Sequence, residues 1–279
     1  MDISSRNRLE TGSFAPWSLS LWPPDSIRIV DWNIDRGLQL SGVIEFLADA
    51  KADLLLLQEV DMHARRTHRL NIAREIAQKL SMNYAWGCEF QELTQGSHNS
   101  PAFHGQATLS SWPLSNPRIL RFQRQSSFWR PRWYLPEVEP FQERLGGRMA
   151  LVVDVNVAGH SLVSYNLHLE SRGDTSLRQA QLRECLSDSN KYKSNPLVIA
   201  GDMNFDVART GACAELRRED FDSPFGGQIK TTPAKYPFDR GSIIDWIFAR
   251  GPVRAINPQV HTSVDASDHY PLSVTLTFG

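Results

Sequence analysis

The sequence contains few cysteines and no long apolar run. Cys88, Cys185 and Cys213 are its three cysteines, they lie far apart, and no C-x-x-C pair occurs, so we expect neither a disulfide framework nor a zinc knuckle. No apolar run approaches the roughly 18 residues that a transmembrane helix needs. Because no apolar stretch follows Arg6 and Arg8, we also expect no signal peptide, and we predict a cytoplasmic protein.

An excess of charge of one sign is also absent. The chain has 30 Lys and Arg against 31 Asp and Glu, a net charge of -1. This balance excludes a basic coat for non-specific nucleic-acid binding but leaves a local basic groove open. Lysine is scarce, with 6 residues against 24 arginines; arginine suits phosphate, although a GC-rich coding preference explains the same bias. With 279 residues, of which 41 % are hydrophobic, the chain can bury a large core, and wholesale disorder is excluded.

The chain is predicted to consist of a short tail and one large domain. Residues 1–24 form the predicted N-terminal tail, because they are polar and Trp22-Pro23-Pro24 interrupts any regular element. In residues 25–279, short apolar runs alternate with helical patterns. The predicted strands are 27–34, 53–57, 149–157, 161–169, 197–200, 243–248 and 272–278, and the predicted helices include 71–80 and 176–186, the latter capped by Asp174 or Thr175. Crossover and hairpin connections occur together, which predicts a mixed α/β sheet protein.

Polar side chains stand at the ends of several predicted strands. Glu59 ends the stretch LLLLQE, and the same pattern places Asn33, Asp35, His168, Asp202, Asn204, Asp245, Asp268 and His269 at or near strand ends. Such groups gather outside the strand ends of open α/β sheets, and their oxygens suit Mg²⁺ or Mn²⁺. Taken alone, an Asp at a strand end is more often a turn residue or a helix cap than a member of a site. Asp245, however, lies in an apolar strand, where a buried carboxylate needs a partner such as a histidine.

Six short blocks occur in a fixed order along the chain. They are WNID (32–35), QE (58–59), NLHL (166–169), GDMN (201–204), IDWIF (244–248) and SDH (267–269). Together they resemble the endonuclease/exonuclease/phosphatase superfamily of deoxyribonuclease I-like enzymes, and the resemblance extends over residues 27–279. It implies an α/β fold, a four-layer α/β sandwich in which helices flank two mixed β-sheets, with the site at the mouth between the sheets.

The resemblance also implies metal binding. Glu59 is the expected principal ligand of a Mg²⁺ or Mn²⁺ ion, and Asn33, Asp35 and Asp268 are the further expected metal ligands.

The catalytic roles follow from the same blocks. By the resemblance, Asp202 orients or deprotonates the attacking water, and Asn204 holds the non-bridging phosphate oxygens. His269, oriented by Asp245, acts on the phosphoryl group as a base or as a stabiliser of developing charge, and His168 contacts the phosphate from the other side. These roles agree with the chemistry of diester hydrolysis, which needs the phosphate charge neutralised and the water held in line.

Two middle stretches, HGQATLSSWPL and LGGRMALVVDV, are similar to the family's middle strands. Gln106 stands at a position that often carries Asn in that family, and we expect Gln106 and Arg148 to bind the substrate. His104 either lines the site or is an ordinary strand residue.

Residues 118–148 match no catalytic block. They contain seven arginines, three glutamates and six aromatic residues, and Pro131, Pro136 and Pro140 exclude a long helix. Such a segment is suited to stacking on bases, to lying on a lipid surface, or to a packed lid in which arginine stems cover the core.

We therefore predict a divalent-metal-dependent hydrolase of phosphoric esters, a phosphodiesterase that acts on nucleic acid, because the WNID block resembles the nuclease branch. His168 in NLHL resembles the deoxyribonuclease I and sphingomyelinase branches, so a phospholipid, sphingomyelin-type or small-molecule phosphodiesterase or phosphatase remains the alternative. A catalytically silent binding module is disfavoured, because every matched catalytic position carries a competent residue.

Overall fold

The computed structural model describes residues 7–16, 24–138, 141–234 and 240–279, and most of the predicted tail therefore lies outside the described residues. The strands in these ranges are β1 (Leu9–Ser13), β2 (Ser26–Arg36), β3 (Leu54–Met62), β4 (Asn83–Ser97), β5 (Ser100–Ser110), β6 (Leu114–Arg121), β7 (Arg144–Gly146), β8 (Met149–Val157), β9 (His160–His168), β10 (Leu197–Asp202), β11 (Asp245–Arg250), β12 (Val253–Val260) and β13 (Leu272–Phe278). The α-helices are α1 (Leu40–Ala50), α2 (Ile72–Leu80), α3 (Thr175–Ser189) and α4 (Ala212–Arg218). In the described ranges, no helix combines the length and the apolar character that crossing a membrane requires.

The strands form two mixed sheets. The larger sheet has the order β1-β4-β5-β3-β2-β13-β12, and β7 pairs with β4. The smaller sheet has the order β11-β10-β9-β8-β6. One parallel pair lies inside each sheet, β2 with β3 and β9 with β10.

Three apolar layers hold these elements together. Between the sheets, alternate residues such as Ile29, Leu56 and Val198 form a continuous core. The outer face of the larger sheet packs on α1 and α2, and the outer face of the smaller sheet packs on α3 and α4. The alternation follows from the strand period of two, which sends neighbouring side chains to opposite faces. The predicted four-layer α/β sandwich is therefore confirmed.

Several strands fall where the sequence pattern did not predict them, among them β1, β4, β6 and β12, and the first two show why. Leu9–Ser13, inside the predicted tail, pairs antiparallel with β4 as an edge strand, and its burial alternates between exposed and intermediate residues, so it needs no apolar run. The sequence pattern does not predict β4 for another reason. Glu89 and Glu92 lie buried within it, and these carboxylates interrupt the apolar sequence that a buried strand usually has.

The helix α3 begins as the sequence predicts. Asp174 is its N-cap, and the side-chain oxygen accepts a hydrogen bond from the backbone N–H of Leu177 at 3.1 Å. This contact satisfies one of the amide groups that every helix start leaves without a partner.

Glycine is required at the end of β10. Gly201 has φ of +141°, and a Cβ atom there would lie 1.9 Å from the carbonyl oxygen of Leu167 on the neighbouring strand β9. The close approach keeps β9 and β10 in register, so that His168 and Asp202 stand side by side.

The surface between the sheets changes from apolar to polar along the strands. Asn166 of the smaller sheet donates hydrogen bonds to the carbonyl oxygens of Leu57 and Ala107 in the larger sheet, at 3.0 and 2.9 Å. Its Oδ1 accepts from Nε2 of Gln58 at 2.8 Å, and the same Nε2 donates to Asp31 at 2.8 Å. All these side chains are buried, so this polar layer ties the two sheets together just below their strand ends.

We predict that Asn166→Ala lowers the free energy of unfolding by about 2–4 kcal/mol, because it removes three buried hydrogen bonds and leaves their partners without replacements. Urea unfolding followed by circular dichroism measures the effect. Asn195→Ala is the matched control, since Asn195 donates a single exposed hydrogen bond to Ser161. Equal losses in the two variants would contradict the proposed tie between the sheets.

Candidate active site

A cleft of about 390 Å³ opens at the ends of β3, β9 and β10. Seven of the predicted site residues line it, namely Glu59, Arg148, His168, Asp202, Asn204, Asp268 and His269. A larger cavity of about 650 Å³ lies elsewhere, beside Gly12, Tyr84 and Trp112, and none of the described residues that line it is Asp, Glu or His. The acidic and histidine side chains that could take part in catalysis or metal binding therefore line the smaller cleft.

Glu59 enters the cleft from a bulge in β3. Between the pairs Leu57–Ala107 and Val60–Gly105, two residues of β3 oppose one residue of β5. Glu59 has φ of 52°, which is uncommon for a residue other than glycine, and bulges of this kind change the direction of a side chain. Burial alone would raise the pKa of Glu59. Nη2 of Arg36, however, lies 3.6 Å from Oε2 of Glu59, and its positive charge helps to hold the pKa of the carboxyl well below its usual range.

The four predicted metal ligands occupy different positions. Glu59 and Asp268 line the cleft. Asn33 is buried, its Oδ1 accepts from the backbone N–H of Asp35 at 3.1 Å, and its Nδ2 donates to Asp202 at 3.3 Å. The carboxylate of Asp35 pairs with Arg36. Ionised Glu59 and the Asp268 carboxylate on the wall of the same cleft offer the oxygen donors that a hard divalent cation prefers.

Asp202 lies at the centre of the site. Its Oδ1 accepts from the backbone N–H of Asn204 at 2.8 Å, and its Oδ2 lies 3.5 Å from Nε2 of His168 and 3.9 Å from Nε2 of His269. Asn204 has φ of 54° and donates to the carbonyl oxygen of Leu169 at 3.1 Å. The turn after β10 thus fixes the carboxylate between two imidazoles.

Asp245 and His269 lie in direct contact. Nδ1 of His269 is 3.0 Å from both carboxylate oxygens of Asp245, and both side chains are buried. Burial opposes a charge on the imidazole, but the Asp245 and Asp202 carboxylates raise the pKa of His269 to about 10. His269 is therefore an imidazolium at neutral pH, with Nδ1 donating to Asp245 and Nε2 facing Asp202.

His168 is held from behind by a buried ion pair. Its Nδ1 lies 3.4 Å from Oε2 of Glu89, and Oε1 of Glu89 accepts from Nη1 of Arg148 at 3.0 Å. Burial would raise the pKa of Glu89, but Arg148 and His168 lower it to about 2. Arg148 also donates to the hydroxyl of Ser171 at 2.9 Å, so it lines the cleft as an anchored cation.

The structure does not bring Gln106 to the cleft. Its side chain is fully buried, and Nε2 donates to the carbonyl oxygen of Met149 in the other sheet at 3.0 Å. The alternation along β5 directs it between the sheets, where it links backbone segments. The expected contact between Gln106 and a substrate thus has no support in its position.

Several cleft residues were not identified from the sequence. They are Arg36, Trp129, Glu143, Arg144, Ser171 and Arg172, and Glu89 lies directly behind the cleft. The signal for Glu89 is available in the run YAWGCEF, where a carboxylate inside an apolar strand needs a buried partner. The arginines carry no such local signal, because their positions depend on chain segments distant in sequence.

Comparisons with known proteins agree with this geometry. A sequence profile described as the Endonuclease/Exonuclease/phosphatase family matches residues 32–269. The fold is similar to that of an endonuclease/exonuclease/phosphatase from Beutenbergia cavernae, with a TM-score of 0.67, 18% identity, and coverage of 92% of this chain and 72% of that chain. It is also similar to humanized D. rerio TDP2 (TM-score 0.63, 17% identity, 91% and 100% coverage) and to the human Nocturnin catalytic domain (TM-score 0.63, 16% identity, 99% and 98% coverage). No curated protein matches the sequence.

We predict that His269 of the metal-free protein stays protonated through neutral pH. Asp245→Asn should lower the pKa of His269 by more than one unit, because it replaces the stabilising carboxylate with a neutral amide. An NMR titration of the histidine ring signals measures both values. The ring of His261, whose pKa is lowered by burial and by Arg28, serves as the internal control and should not change. A wild-type His269 that titrates near the usual value of about 6.5 would contradict the description of this pair.

Proposed function

The chain belongs to the Endonuclease/Exonuclease/phosphatase family, and from this premise we propose that it is a divalent-metal-dependent phosphodiesterase that acts on nucleic acid. The observation that carries the proposal is the convergence of Glu59, Asp202 and His269 in one cleft, with Asp245 in contact with His269. An anionic ester needs its charge neutralised and its attacking water oriented, and this set contains groups for both tasks.

Glu59 is the proposed principal metal ligand, and Asp268 is its proposed partner on the cleft wall. Asn33 and Asp35 stand next to one another in β2 and are proposed to complete or support the oxygen set. A bound Mg²⁺ or Mn²⁺ supplies a Lewis acid that polarises a phosphoryl oxygen. Arg36, which faces Glu59 at 3.6 Å, balances the carboxylate charge in the metal-free protein.

The remaining groups act on the water and on the phosphate. Asp202 is proposed to accept the proton of the attacking water, because it is an acceptor fixed by the backbone of Asn204. The raised pKa of His269 favours a stabilising role over a basic one, since an imidazolium can donate a hydrogen bond to a phosphate oxygen as charge develops. Asn204 and His168 are proposed to hold the other non-bridging oxygens.

The arginines of the cleft support a polyanionic substrate, although Glu59, Glu143, Asp202 and Asp268 line the same cleft. Arg36, Arg144, Arg148 and Arg172 all line the cleft, although the chain as a whole carries a net charge of -1. Arginine forks match phosphate geometry, and several cations around one opening would contact consecutive phosphates of a strand.

The described part of residues 118–148 is packed at its base and exposed at its tip, an arrangement suited to two of the expected roles. Their base is packed, since Trp129 is buried and donates to Glu170 at 3.0 Å and Arg118 pairs with Asp188. Their tip is open, with Trp133 96 % and Tyr134 65 % exposed. Exposed aromatic rings next to arginines favour stacking on bases, and the same rings make a lipid phosphodiesterase the second candidate function.

A substrate panel tests the proposal directly. Plasmid DNA, RNA, sphingomyelin vesicles, inositol phosphates and bis-p-nitrophenyl phosphate are each incubated with the protein, with Mg²⁺ or Mn²⁺ and with a chelator. We expect metal-dependent cleavage of nucleic acid and of the chromogenic diester. Cleavage of sphingomyelin alone would support the lipid candidate, and no hydrolysis of any ester would contradict the proposed activity.

We predict that Glu59→Gln reduces activity at limiting Mg²⁺ by at least about tenfold, because a neutral amide is a weaker ligand for a hard cation than a carboxylate. Initial rates across a Mg²⁺ titration measure the change, and circular dichroism checks the fold. Glu45→Gln, on the exposed side of α1, is the matched control. An unchanged Mg²⁺ dependence would remove Glu59 from the metal site.

We predict that replacing Arg124, Arg130 and Arg132 with Ala raises the apparent KM for nucleic acid and flattens its salt dependence, because fewer counterions are released on binding. Turnover of bis-p-nitrophenyl phosphate should change little, because this small diester does not reach the tip of the segment. Replacing Arg217, Arg218 and Arg254 together with Ala, at three exposed positions outside the cleft, controls for net charge. Equal losses on both substrates, with a lower melting temperature, would instead indicate a purely structural segment.

A further inference from the structure

Two arginines without an ionic partner share one aromatic ring beside the cleft. The guanidinium carbon of Arg172 lies 4.6 Å from the ring centroid of Phe128, and that of Arg132 lies 5.3 Å from the same centroid. Within the described part of the chain, neither guanidinium group forms a salt bridge or a hydrogen bond. Arg172 also lines the cleft, so this pair of cations stands next to the groups proposed for catalysis.

A buried carboxylate holds both sides of this arrangement in place. Glu170, two residues after the end of β9, has no exposed surface. Its Oε1 accepts a hydrogen bond from the backbone N–H of Arg172 at 2.9 Å, and both of its oxygens accept from Nε1 of Trp129 at 3.0 Å. Trp129 in turn packs edge-on against Phe128, with the ring centroids 4.8 Å apart. The loop that carries Arg172 and the turn that carries Phe128 are therefore fixed to one another.

The neighbouring arginines on this wall of the cleft are already engaged. Arg144 and Arg148 form salt bridges with glutamates that are fully buried, and the Glu143 carboxylate lies 3.9 Å from Arg144. Arg132 and Arg172 instead occupy half-buried and exposed positions with their N–H donors available to a ligand. The ring face stabilises each guanidinium, but the two like charges repel each other, and an anion bound between them would remove this repulsion.

We propose that Arg132 and Arg172 form a subsite for a second phosphate group of the substrate, beside the diester that is cleaved. Guanidinium groups match the oxygens of phosphate in geometry and charge. The inference rests on the proposed function and deepens it, because it assigns the substrate to nucleotides that carry a further phosphate next to the scissile one.

This subsite distinguishes between the two candidate substrates. Consecutive nucleotides of a nucleic acid carry a phosphate on each side of the sugar, so a strand fills both positions. The headgroup of sphingomyelin has a single phosphate and a quaternary ammonium group, which two unpaired arginines repel. The pair on Phe128 therefore favours nucleic acid over the lipid.

Isothermal titration calorimetry in Mg²⁺ tests the subsite without an activity assay. We expect adenosine 3′,5′-bisphosphate to bind the wild type about tenfold more tightly than adenosine 5′-monophosphate, because charged donors reach its second phosphate. The difference should disappear in Arg172→Gln and in Arg132→Gln. Arg254→Gln, at an exposed position outside the cleft, is the matched control and should retain it. Inositol 1,4-bisphosphate is the third ligand, and its tighter binding than that of the nucleotide would overturn the assignment to nucleotides.

Matched chromogenic esters give the kinetic form of the same test. They are the p-nitrophenyl ester of thymidine 5′-phosphate with and without a 3′-phosphate, and the ester of thymidine 3′-phosphate with and without a 5′-phosphate, so that the second phosphate lies on either side. In one of the two pairs, the second phosphate should raise kcat/KM about tenfold, mainly through a lower KM. This ratio should fall to about one in Arg172→Gln and stay unchanged in Arg254→Gln.

Two results overturn the proposal. One is a wild-type protein that binds the bisphosphate no more tightly than the monophosphate, and the other is a preference that persists in Arg172→Gln and Arg132→Gln. A protein that hydrolyses the esters without regard to the second phosphate keeps the proposed function and loses the subsite. A protein that prefers the bisphosphate through these arginines but hydrolyses no ester keeps the subsite and loses the proposed function.

Discussion

The two parallel strand pairs, β2 with β3 and β9 with β10, lie face to face, and the candidate site depends on this packing. The side chains on the facing surfaces change in character along the strands. They are apolar at one end, and hydrogen-bonded amides such as Asn166 follow further along. Carboxylates and imidazoles lie where the strands end. Because the polar layer joins one sheet to the other, the distance between Glu59 on one sheet and Asp202 on the other is set by the core beneath them. A shift of one sheet would separate the two halves of the site.

Several buried charges at this end of the molecule are matched by opposite charges or by hydrogen bonds, as the cost of burying ions requires. The Asp245 carboxylate holds His269, Glu89 lies between Arg148 and His168, and Asp61 holds His104 and Arg66. Three histidines are therefore each oriented by a carboxylate at Nδ1, which leaves Nε2 available for other partners. Preorganised groups of this kind need little rearrangement when a phosphate or a cation binds.

The sequence predicts the parts of the molecule that depend on local patterns. The strand Leu272–Phe278 matches its prediction to the residue, and the N-cap Asp174 is one of the two residues predicted for it, because alternation and helix capping are local properties. The bulge that turns Glu59 into the cleft is not visible in LLLLQE, since it arises from the pairing of β3 with β5. Glu89 and Arg148 are 59 residues apart in the chain, and only the packed sheets bring them together. Site residues within motif blocks were therefore accessible from the sequence, whereas their supporting partners were not.

The proposed activity requires groups from both sheets to act as one catalytic unit on a phosphodiester. A double-mutant cycle of Asp245→Asn and His269→Ala, with kcat/KM for bis-p-nitrophenyl phosphate in Mn²⁺ as the readout, tests it most directly. If Asp245 acts through His269, the double variant loses no more activity than His269→Ala alone. Losses that multiply would contradict the claim, because they would mean that the two residues contribute independently.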